Sequence, residues 1–471
     1  MGDEEAGDVV RPRGQTVVAL AVLGVVVLGG LIAQWAGDRQ ASALSPHVAT
    51  SGAWFCPHGG GGRWSASIYV ANPGPRAVTV RARSLGEARP DDLGETTVQP
   101  GASAEIEARA GEASSATSLE YFGGWVAASW VARADGKEVG VAAEPCLPGA
   151  GRHWTLPDGS TEQGESAYVV VMNPFAADAV FDVTALTESD PPKGITDFSD
   201  YVLAGGRSAA FKLNQLVLGE AAVAARVDVS IGRVAVAALG ITSKVGVRSS
   251  VGWPGAPAGG AILPGGGDAG ASVLAVADPG TAPSTFSASV LGPKGLQIAG
   301  RLRQQTQDGA SAAAYPVTTD DPASISAITQ AGDSGVILAR RTRGESQDLG
   351  STGGVASAEG AWIIPPATGS APRSPVVYLT NPGERPVKVS LATLPVSGSP
   401  ASSRTTIPPG STIAAPKRLF SGKGDHPVMA LAEEGTFAAA AASYSQGQHG
   451  IAGYAVSAGI PIPNAWLPAG K

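Results

Sequence analysis

The sequence is poor in the residues that carry most metal and redox chemistry. It has two cysteines and five histidines among 471 residues. There is no Cys-x-x-Cys motif and no pair of histidines four residues apart. Zinc sites are usually built from clusters of these side chains at short spacing. The sequence therefore predicts no metal site, and no residue set in it predicts a catalytic centre or a cofactor site.

Charged residues are scarce as well. Asp, Glu, Lys and Arg make up 15% of the chain, where about 25% is typical of soluble domains. The formal net charge is −7, and no long basic run is interleaved with aromatic residues, which argues against nucleic acid as a partner. One compact basic cluster, Arg340, Arg341 and Arg343, could contact an anionic glycan or a lipid head group.

One long segment near the N-terminus has no charge at all. Residues 16–37 are 22 residues rich in Val, Leu, Ala and Gly, and a helix of that length spans roughly 33 Å against a hydrocarbon core of about 30 Å. Arg11 and Arg13 precede it, which favours a cytoplasmic N-terminus. Cleavage after Ala43, as of a signal peptide, is the alternative. The expected segments are a cytoplasmic tail over residues 1–15, a transmembrane helix over 16–37 and a linker over 38–50.

The remaining sequence contains a repeated aromatic-x-x-Pro signature. It begins at Trp54, Trp154 and Trp362, and a copy at Ala261 has lost the Trp. These four copies are 100, 107 and 101 residues apart, and a shorter copy at Trp466 lies near the end of the chain. A large ring in the same position of every copy is expected to pack at a module junction. A row of aromatic faces for stacking sugars is the alternative.

Each full copy is followed by a predicted strand, turn and strand. The turns begin at Asn72, Asn173, Asp278 and Asn381, and a second turn follows about 30 residues later in each copy. In an Asn-Pro-Gly turn the Asn side chain bonds the backbone two residues on, Pro presets φ, and Gly supplies a positive φ. The flanking residues are mostly β-branched or aromatic, which predicts a hairpin at each of these turns.

These spacings predict an all-β fold of four tandem modules of about 100 residues. Six or seven short strands per module, with a turn every 8 to 12 residues, are typical of an immunoglobulin-like β-sandwich. The fifth signature leaves a closed propeller-like ring as the alternative, and pairing of the Trp54 and Trp466 segments would favour that closure. The predicted modules cover residues 51–150, 151–258, 259–359 and 360–471.

The two cysteines bracket the first module. Cys56 and Cys146 are 90 residues apart, and a pair like this in an exported chain most often forms a disulfide. Closing so long a loop stabilises a fold by about 4–5 kcal/mol in the chain-entropy model. His58 begins a His-Gly-Gly-Gly run that has the letters of a hydrolase oxyanion loop. The matching Gly-x-Ser-x-Gly elbow is missing, so we interpret the run as a loop.

The short charged tail, the apolar span, the Trp-x-Cys-Pro segment with its Gly run and the repeated Asn-Pro-Gly turns together resemble an uncharacterised family of actinobacterial, membrane-anchored, exported proteins. The resemblance implies location and architecture but no catalytic residue. We expect a non-enzymatic cell-envelope protein at the cell membrane, with its bulk extracytoplasmic, that acts as a structural or binding scaffold for a cell-wall polymer or a membrane partner protein. A glycan-acting hydrolase, or an accessory subunit of an envelope glycosyltransferase, is the alternative, and it would need carboxylates from different modules to converge with raised pKa values.

Overall fold

The structure is built from antiparallel strands, and helix occurs in it only as short 3-10 turns in the part of the chain that is described. The computed structural model describes residues 50–467 except 189, 244–245, 257–258, 266–271, 320–321, 331–334, 344–348, 369–374, 421–425 and 447–451. The predicted cytoplasmic tail and membrane helix, almost all of the linker, and Ala43 lie outside these residues. Within them, no helix has the length and apolar character needed to cross a bilayer.

The strands fall into four successive groups, which we call repeats one to four. Repeat one holds β1 Ser51–Cys56, β2 Trp64–Asn72, β3 Val78–Leu85, β4 Asp91–Val98, β5 Ala102–Ala108, β6 Ala116–Phe122, β7 Ala127–Asp135 and β8 Val139–Pro145. Repeat two holds β9 His153–Leu156, β10 Glu165–Asn173, β11 Ala179–Leu186, β12 Tyr201–Leu203, β13 Arg207–Lys212, β14 Ala224–Ile231, β15 Ala235–Thr242 and β16 Gly246–Val251.

The second half of the chain continues the pattern. Repeat three holds β17 Ala261–Leu263, β18 Ser272–Asp278, β19 Ser284–Gly292, β20 Gly295–Ile298, β21 Gln305–Gln307, β22 Ser311–Val317, β23 Ser324–Thr329, β24 Ile337–Arg343 and β25 Leu349–Thr352. Repeat four holds β26 Ala361–Ile364, β27 Val376–Asn381, β28 Val387–Thr393, β29 Ser402–Ile407, β30 Ser411–Ala414, β31 Val428–Ala432, β32 Ala438–Gln446, β33 Ala452–Ala458 and β34 Ile460–Pro461. The 3-10 turns are Thr196–Phe198, Leu213–Gln215, Gly300–Leu302, Lys417–Phe420 and Asn464–Trp466.

Every repeat has the same sheet topology. In repeat one the two sheets have the orders β1-β6-β3-β4 and β5-β2-β7-β8, and the other three repeats reproduce both orders among their described strands. Repeat three adds β21 beside β19, and repeat four adds β34 beside β26. Each repeat therefore has at least eight strands, more than the six or seven predicted, arranged as a β-sandwich-like pair of sheets.

The Asn-Pro-Gly turns connect two different sheets. β2 and β3 flank the first of these turns, and β2 pairs with β5 and β7 whereas β3 pairs with β4 and β6. The prediction of hairpins is therefore wrong. Both strands have an apolar inner face, and Ile68 of β2 lies in the same buried cluster as Val80 of β3. Facing each other across the core buries both faces, as in other stacked sheets.

Within these turns, the Asn side chain makes the decisive bonds. Asn72 Nδ2 donates to the carbonyl oxygens of Arg76 and Val98 at 2.7 and 3.0 Å, and Asn72 Oδ1 accepts from the N–H of Gly74 at 2.9 Å. Asn173 and Asn381 bond their own turns in the same way. The side chain thus ties the turn to the strand that follows β3 or its equivalent.

Positive φ occurs at the second turn and not at the Asn-Pro-Gly turn, which corrects the predicted role of that glycine. At the second turn the residues with positive φ are Gly101, Gly206, Ala310 and Gly410, at 65°, 69°, 52° and 58°. Gly74 instead permits a close approach, because a Cβ there would lie 3.2 Å from Asn72 Oδ1.

The last strand of each repeat contacts the last strand of the next. β8 contacts β16, β16 contacts β25, β25 contacts β33, and β33 contacts β8. A glycine stands at or beside the start of each of these strands. A Cβ on Gly453 would lie 2.5 Å from the backbone nitrogen of Val141, and a Cβ on Gly140 would lie 2.8 Å from that of Val247. The innermost strands therefore touch backbone to backbone in a closed cycle.

A hydrogen bond of one kind recurs between successive repeats. The N–H of Ser208 in repeat two donates to Gly86 O in repeat one at 3.1 Å, and the N–H of Ala312 in repeat three donates to Thr187 O in repeat two at 3.0 Å. In the same way Ser103 in repeat one donates to Pro395 O in repeat four at 3.2 Å. Repeats one and four are therefore joined by the same kind of hydrogen bond as repeats that follow each other in the sequence.

Closure does not use the pairing that the sequence suggested. Among the described strands, β1, which carries Trp54, pairs with β6. Trp466 lies in a 3-10 turn, and its ring packs against Gly74 and Gly124 of repeat one. The C-terminal segment at Trp466 therefore contacts repeat one by side-chain packing and not by strand pairing.

We predict that Gly453→Ala lowers the free energy of unfolding by about 1–3 kcal/mol, because the new Cβ would overlap the Val141 backbone and overpacking costs about that much. Gly62→Ala is the matched control, since nothing lies within 4 Å of a Cβ there. Denaturant unfolding of both variants measures the effect. Equal midpoints for the two variants would contradict backbone contact between β33 and β8.

Candidate functional site

An apolar basin lies where the four innermost strands end. Residues that directly follow those strands in all four repeats line it, and its volume is about 620 Å³. Small-molecule sites usually have about 300–1,000 Å³ and mostly apolar walls. The lining segments are 145–151, 251–254, 354–357 and 459–461, together with the side chains Trp54, Trp125, Trp154, Trp362, Glu359 and Pro463. All four repeats therefore contribute to one site, which makes it the candidate binding site of the chain.

Three of the repeated tryptophans form part of this wall. Trp54, Trp154 and Trp362 are only 4%, 3% and 1% exposed. Their Nε1 atoms donate to backbone carbonyls, those of Val126, Val234 and Phe437, at 2.7, 2.9 and 2.7 Å respectively. These rings are anchored in the cores and do not present open faces for stacking. Trp466, the fourth predicted junction residue, lies outside the basin.

The predicted disulfide is present. Cys56 at the end of β1 is bonded to Cys146 just after β8. Phe55 and Leu147 exchange backbone hydrogen bonds of 2.9 and 2.7 Å beside it. Cys146 and Leu147 both line the basin. The disulfide therefore fixes one of the four segments that form the basin wall.

Buried polar side chains stand one or two residues before the basin-lining segments of three repeats. Glu144, Ser250 and Ser457 each stand four residues after the glycine at or beside the start of the innermost strand of their repeat. All three are at most 1% exposed, and among the described residues the hydroxyl groups of Ser250 and Ser457 have no hydrogen-bond partner. Burial raises the pKa of Glu144 well above its usual range, although the N–H of Gly353 faces the carboxyl and opposes the shift.

An ionic cluster joins repeats two and three. Arg341 on β24 donates from Nε to Asp158 Oδ1 at 2.9 Å, Arg248 Nε lies 3.5 Å from Asp158 Oδ2, and Arg248 also donates to Glu165 at 2.9 Å. Burial alone would raise the pKa of Asp158, but the charges of Arg341 and Arg248 outweigh it and lower that pKa to about 2. The carboxylate is thus held ionised and paired.

The described arginines of the predicted basic patch are not exposed on the protein surface. Arg340 is 2% exposed and donates to Ser272 Oγ at 3.1 Å, and the Arg341 side chain is 13% exposed in the ionic cluster. The side chain of Arg343 lies outside the described residues. The guanidinium groups of Arg340 and Arg341 hydrogen-bond to Ser272 and Asp158 inside the fold, so they are not available to an external anion.

His58 is also internal. Its Nδ1 lies 2.7 Å from Gly59 O and its Nε2 lies 3.0 Å from Thr117 Oγ1. Since a carbonyl only accepts, Nδ1 carries the proton and Nε2 accepts from the Thr117 hydroxyl. Burial lowers the pKa of His58 to about 4, against a smaller opposing effect of the Gly59 carbonyl. The ring is therefore a neutral core group, in keeping with a structural loop and not an oxyanion site.

A family model described as "Family of unknown function (DUF5719)" matches residues 115–416, which is more than half of the chain. The chain belongs to this family. Its membership confirms the predicted resemblance to an uncharacterised family. No curated protein matches the chain. A solved structure described as "Crystal structure of tetra-tandem repeat in extending region of large adhesion protein" is 10% identical, with a TM-score of 0.11, over 83% of this chain and 93% of that chain.

Most residues that line the basin were not predicted from the sequence. The repeated signature includes neither the Pro- and Gly-rich segments that follow each innermost strand nor Trp125 and Trp253. Glu144 gave one available signal, since it is the single charge in the apolar run Val139–Pro145. Among the described residues there is no group of acidic, His and Cys side chains that could hold a metal ion.

We predict that Arg341→Met destabilises the fold by about 3–5 kcal/mol, because it removes a partner of a buried carboxylate. Adding Asp158→Leu should restore part of the loss, because the unpaired buried carboxylate is then absent and Arg248 keeps its pair with Glu165. Arg81→Met is the control, because Arg81 and Glu95 form an exposed pair 3.2 Å apart and such pairs contribute at most about 1 kcal/mol. Equal unfolding midpoints for Arg341→Met and Arg81→Met would refute the role of the ionic cluster.

We predict that acid weakens the fold through His58. Its pKa is 6.5 when unfolded and about 4 when folded, so the unfolded chain binds the extra proton first and stability falls as pH drops from about 6.5 to about 4. The difference between these two pKa values corresponds to a loss of about 3 kcal/mol in the free energy of unfolding. Chemical unfolding across this range should show a flatter dependence for His58→Gln than for the wild type. Parallel curves would count against a neutral buried ring.

Proposed function

We propose that this chain is a non-enzymatic protein of the cell envelope, held at the membrane by residues 16–37 with its bulk outside the cytoplasm. Four immunoglobulin-like β-sandwich modules form a closed ring, and the ring binds a membrane partner protein through the basin. The observation that carries the proposal is that all four repeats build one apolar site. A loose string of modules would have no such shared site.

The strand order supports the comparison with immunoglobulin domains. In those domains the second strand pairs with the fifth, and the third pairs with the sixth, and every repeat here has the same pairs. The first and seventh strands have exchanged sheets, since β1 pairs with β6 and β7 pairs with β2. This exchange leaves the eighth strand at the inner edge, where it meets the neighbouring repeats.

The chemistry of the basin supports binding over glycan hydrolysis. A glycosidase needs two carboxyl groups that flank its substrate, and one of them must stay protonated. Glu359 is the one acidic residue in the basin lining, and Asp158 at the junction of repeats two and three has a lowered pKa. The lining carries few of the polar side chains that hydrogen-bond sugar hydroxyls. It therefore suits an apolar part of a protein more than a polysaccharide.

The proposal is tested by photo-crosslinking of the full chain in its own cells. A benzoyl-phenylalanine at Ala356, an exposed residue of the basin lining, should capture an integral membrane protein. The same probe at Ala176, which is exposed but outside the basin, should not. Recovery of the chain in the soluble fraction would overturn the anchoring. Adducts with wall polymer alone, or glycan turnover by the purified full chain, would overturn the assigned role.

A further inference from the structure

A second cavity lies on one sheet of repeat four. Its volume is about 540 Å³, which is within the range of about 300–1,000 Å³ that small-molecule sites have. Residues of β28, β29 and β31 line it, together with Arg418 of the 3-10 turn Lys417–Phe420. None of its lining residues lines the basin, so an inference from this cavity does not depend on the proposed function.

Three neighbouring strands form the floor of the cavity. Ser390 of β28 lies directly opposite Arg404 of β29 on one side and Leu431 of β31 on the other. Successive side chains of a strand point to opposite faces of the sheet, and Val389 and Leu391 belong to the buried core of repeat four. Ser390 and its two cross-strand neighbours therefore lie on the face that is turned away from that core.

The next row on this face gives the cavity its shape. Ala392 lies opposite Ser402 and Met429, so the central strand contributes only small side chains to the floor. Larger side chains stand on both sides of it. Met429 and Leu431 on β31 are half-buried, and Arg404 on β29 is exposed. The floor is thus a trough with an apolar wall on one side and a cationic wall on the other.

The cavity is positively charged. Arg404 and Arg418 are both exposed and both line it, and Arg418 Nε donates to Ser403 Oγ at 3.0 Å. The lining, all of which is described, contains no acidic residue. No ion pair among the described residues includes Arg404. A guanidinium has five N–H donors, so both arginines can donate to an anion that enters the cavity.

Repeat one fills the equivalent place with an ion pair of its own. β3 and β4 there correspond to β28 and β29 in the shared sheet order. The strand register aligns Arg81 with Ser390. It likewise aligns Glu95 with Arg404, and the Arg81 and Glu95 side chains lie 3.2 Å apart. In repeat four the central arginine is a serine and the carboxylate is an arginine, so a bound anion would supply the compensation that Glu95 supplies in repeat one.

We propose that this cavity binds an acidic sugar unit of a glycan. The carboxylate of the sugar accepts hydrogen bonds from Arg404 and Arg418, since a guanidinium matches a planar carboxylate through parallel hydrogen bonds. Hydroxyl groups of the sugar bond the hydroxyls of Ser390 and Ser402. The apolar C–H face of the ring lies against Leu431.

The mixture of groups favours a sugar over other anions. A small anion would use the arginines but not the hydroxyls of Ser390, Ser402 and Ser403, which line the same cavity. A phospholipid would need apolar surface for its acyl chains. Only Met429 and Leu431 offer side chains of that kind on this face, and both already pack against the core of repeat one. A sugar ring uses all three kinds of surface at once.

Equilibrium dialysis of the detergent-solubilised full chain at pH 7 tests the inference. The probe is trigalacturonic acid, an acidic trisaccharide. Maltotriose is a neutral sugar of the same length, citrate is a tricarboxylate without a sugar ring, and glycerophosphoglycerol is the soluble head group of an anionic lipid. The acidic sugar should bind about 10-fold more tightly than maltotriose, because a hydrogen bond to a charged group has about that effect. It should also bind more tightly than citrate and the lipid head group.

Three variants locate the site. Arg404→Gln should weaken the binding of trigalacturonic acid about 10-fold, because it removes one charged donor. Ser390→Arg combined with Arg404→Glu copies the ion pair of repeat one into the trough, and it should abolish binding with little change in the denaturant midpoint. Arg81→Gln, at the equivalent place in repeat one, is the matched control and should bind like the wild type.

No uptake of trigalacturonic acid by the wild type would overturn the inference. Equal binding of maltotriose or of citrate would do so too, because the cavity would then recognise the ring alone or the charge alone. Tighter binding of glycerophosphoglycerol would assign the cavity to a lipid surface instead. Unchanged binding in the double variant would place the sugar elsewhere on the chain. Crosslinking of a membrane protein at residue 356 would stand after any of these results, so this inference and the proposed function fail separately.

Discussion

The innermost strands touch backbone to backbone at one glycine in each repeat, and the rest of the architecture depends on that contact. A side chain at Gly140 or Gly453 would separate neighbouring strands, because the added Cβ would meet backbone atoms within 2.8 Å. The close approach brings the ends of four strands to one place, and the Pro- and Gly-rich segments that follow them then form a single basin.

Local signals predicted much of the fold. Spacing and residue type are visible in the sequence itself. They predicted the period of about 100 residues, the all-β class and the Cys56–Cys146 disulfide. The hairpins were predicted wrongly because an Asn-Pro-Gly turn reverses the chain without specifying which strand becomes the neighbour. That choice is made by burial of two apolar faces, which is a tertiary effect. The positive φ was placed at the wrong turn for a related reason, since either turn contains glycine.

The candidate site was less accessible from the sequence. One glycine recurs in every repeat at spacings of 106, 104 and 103 residues, at Gly140, Gly246, Gly350 and Gly453. This spacing is as regular as that of the repeated tryptophans. It was not recognised because the chain contains many other glycines. The lone Glu144 in an apolar strand was the other clue. The partners of Asp158 could not be predicted, because Arg341 lies 183 residues away and only the contact between repeats two and three brings the charges together. Arg340 and Arg341 looked like a surface patch because sequence alone does not show burial.

The C-terminal segment has a consequence for how the chain is made. Ile460, Ile462 and Leu394 of repeat four are buried in the same cluster as Trp54 and Ile68 of repeat one, and the ring of Trp466 covers Gly74 and Gly124. Repeat one is synthesised before these residues exist, so part of its core stays uncovered until repeat four has emerged. The disulfide, whose two cysteines are both available as soon as β8 is complete, can hold repeat one together during that interval. The repeats are therefore assembled in a fixed order, and the core of repeat one is completed only after repeat four has been made.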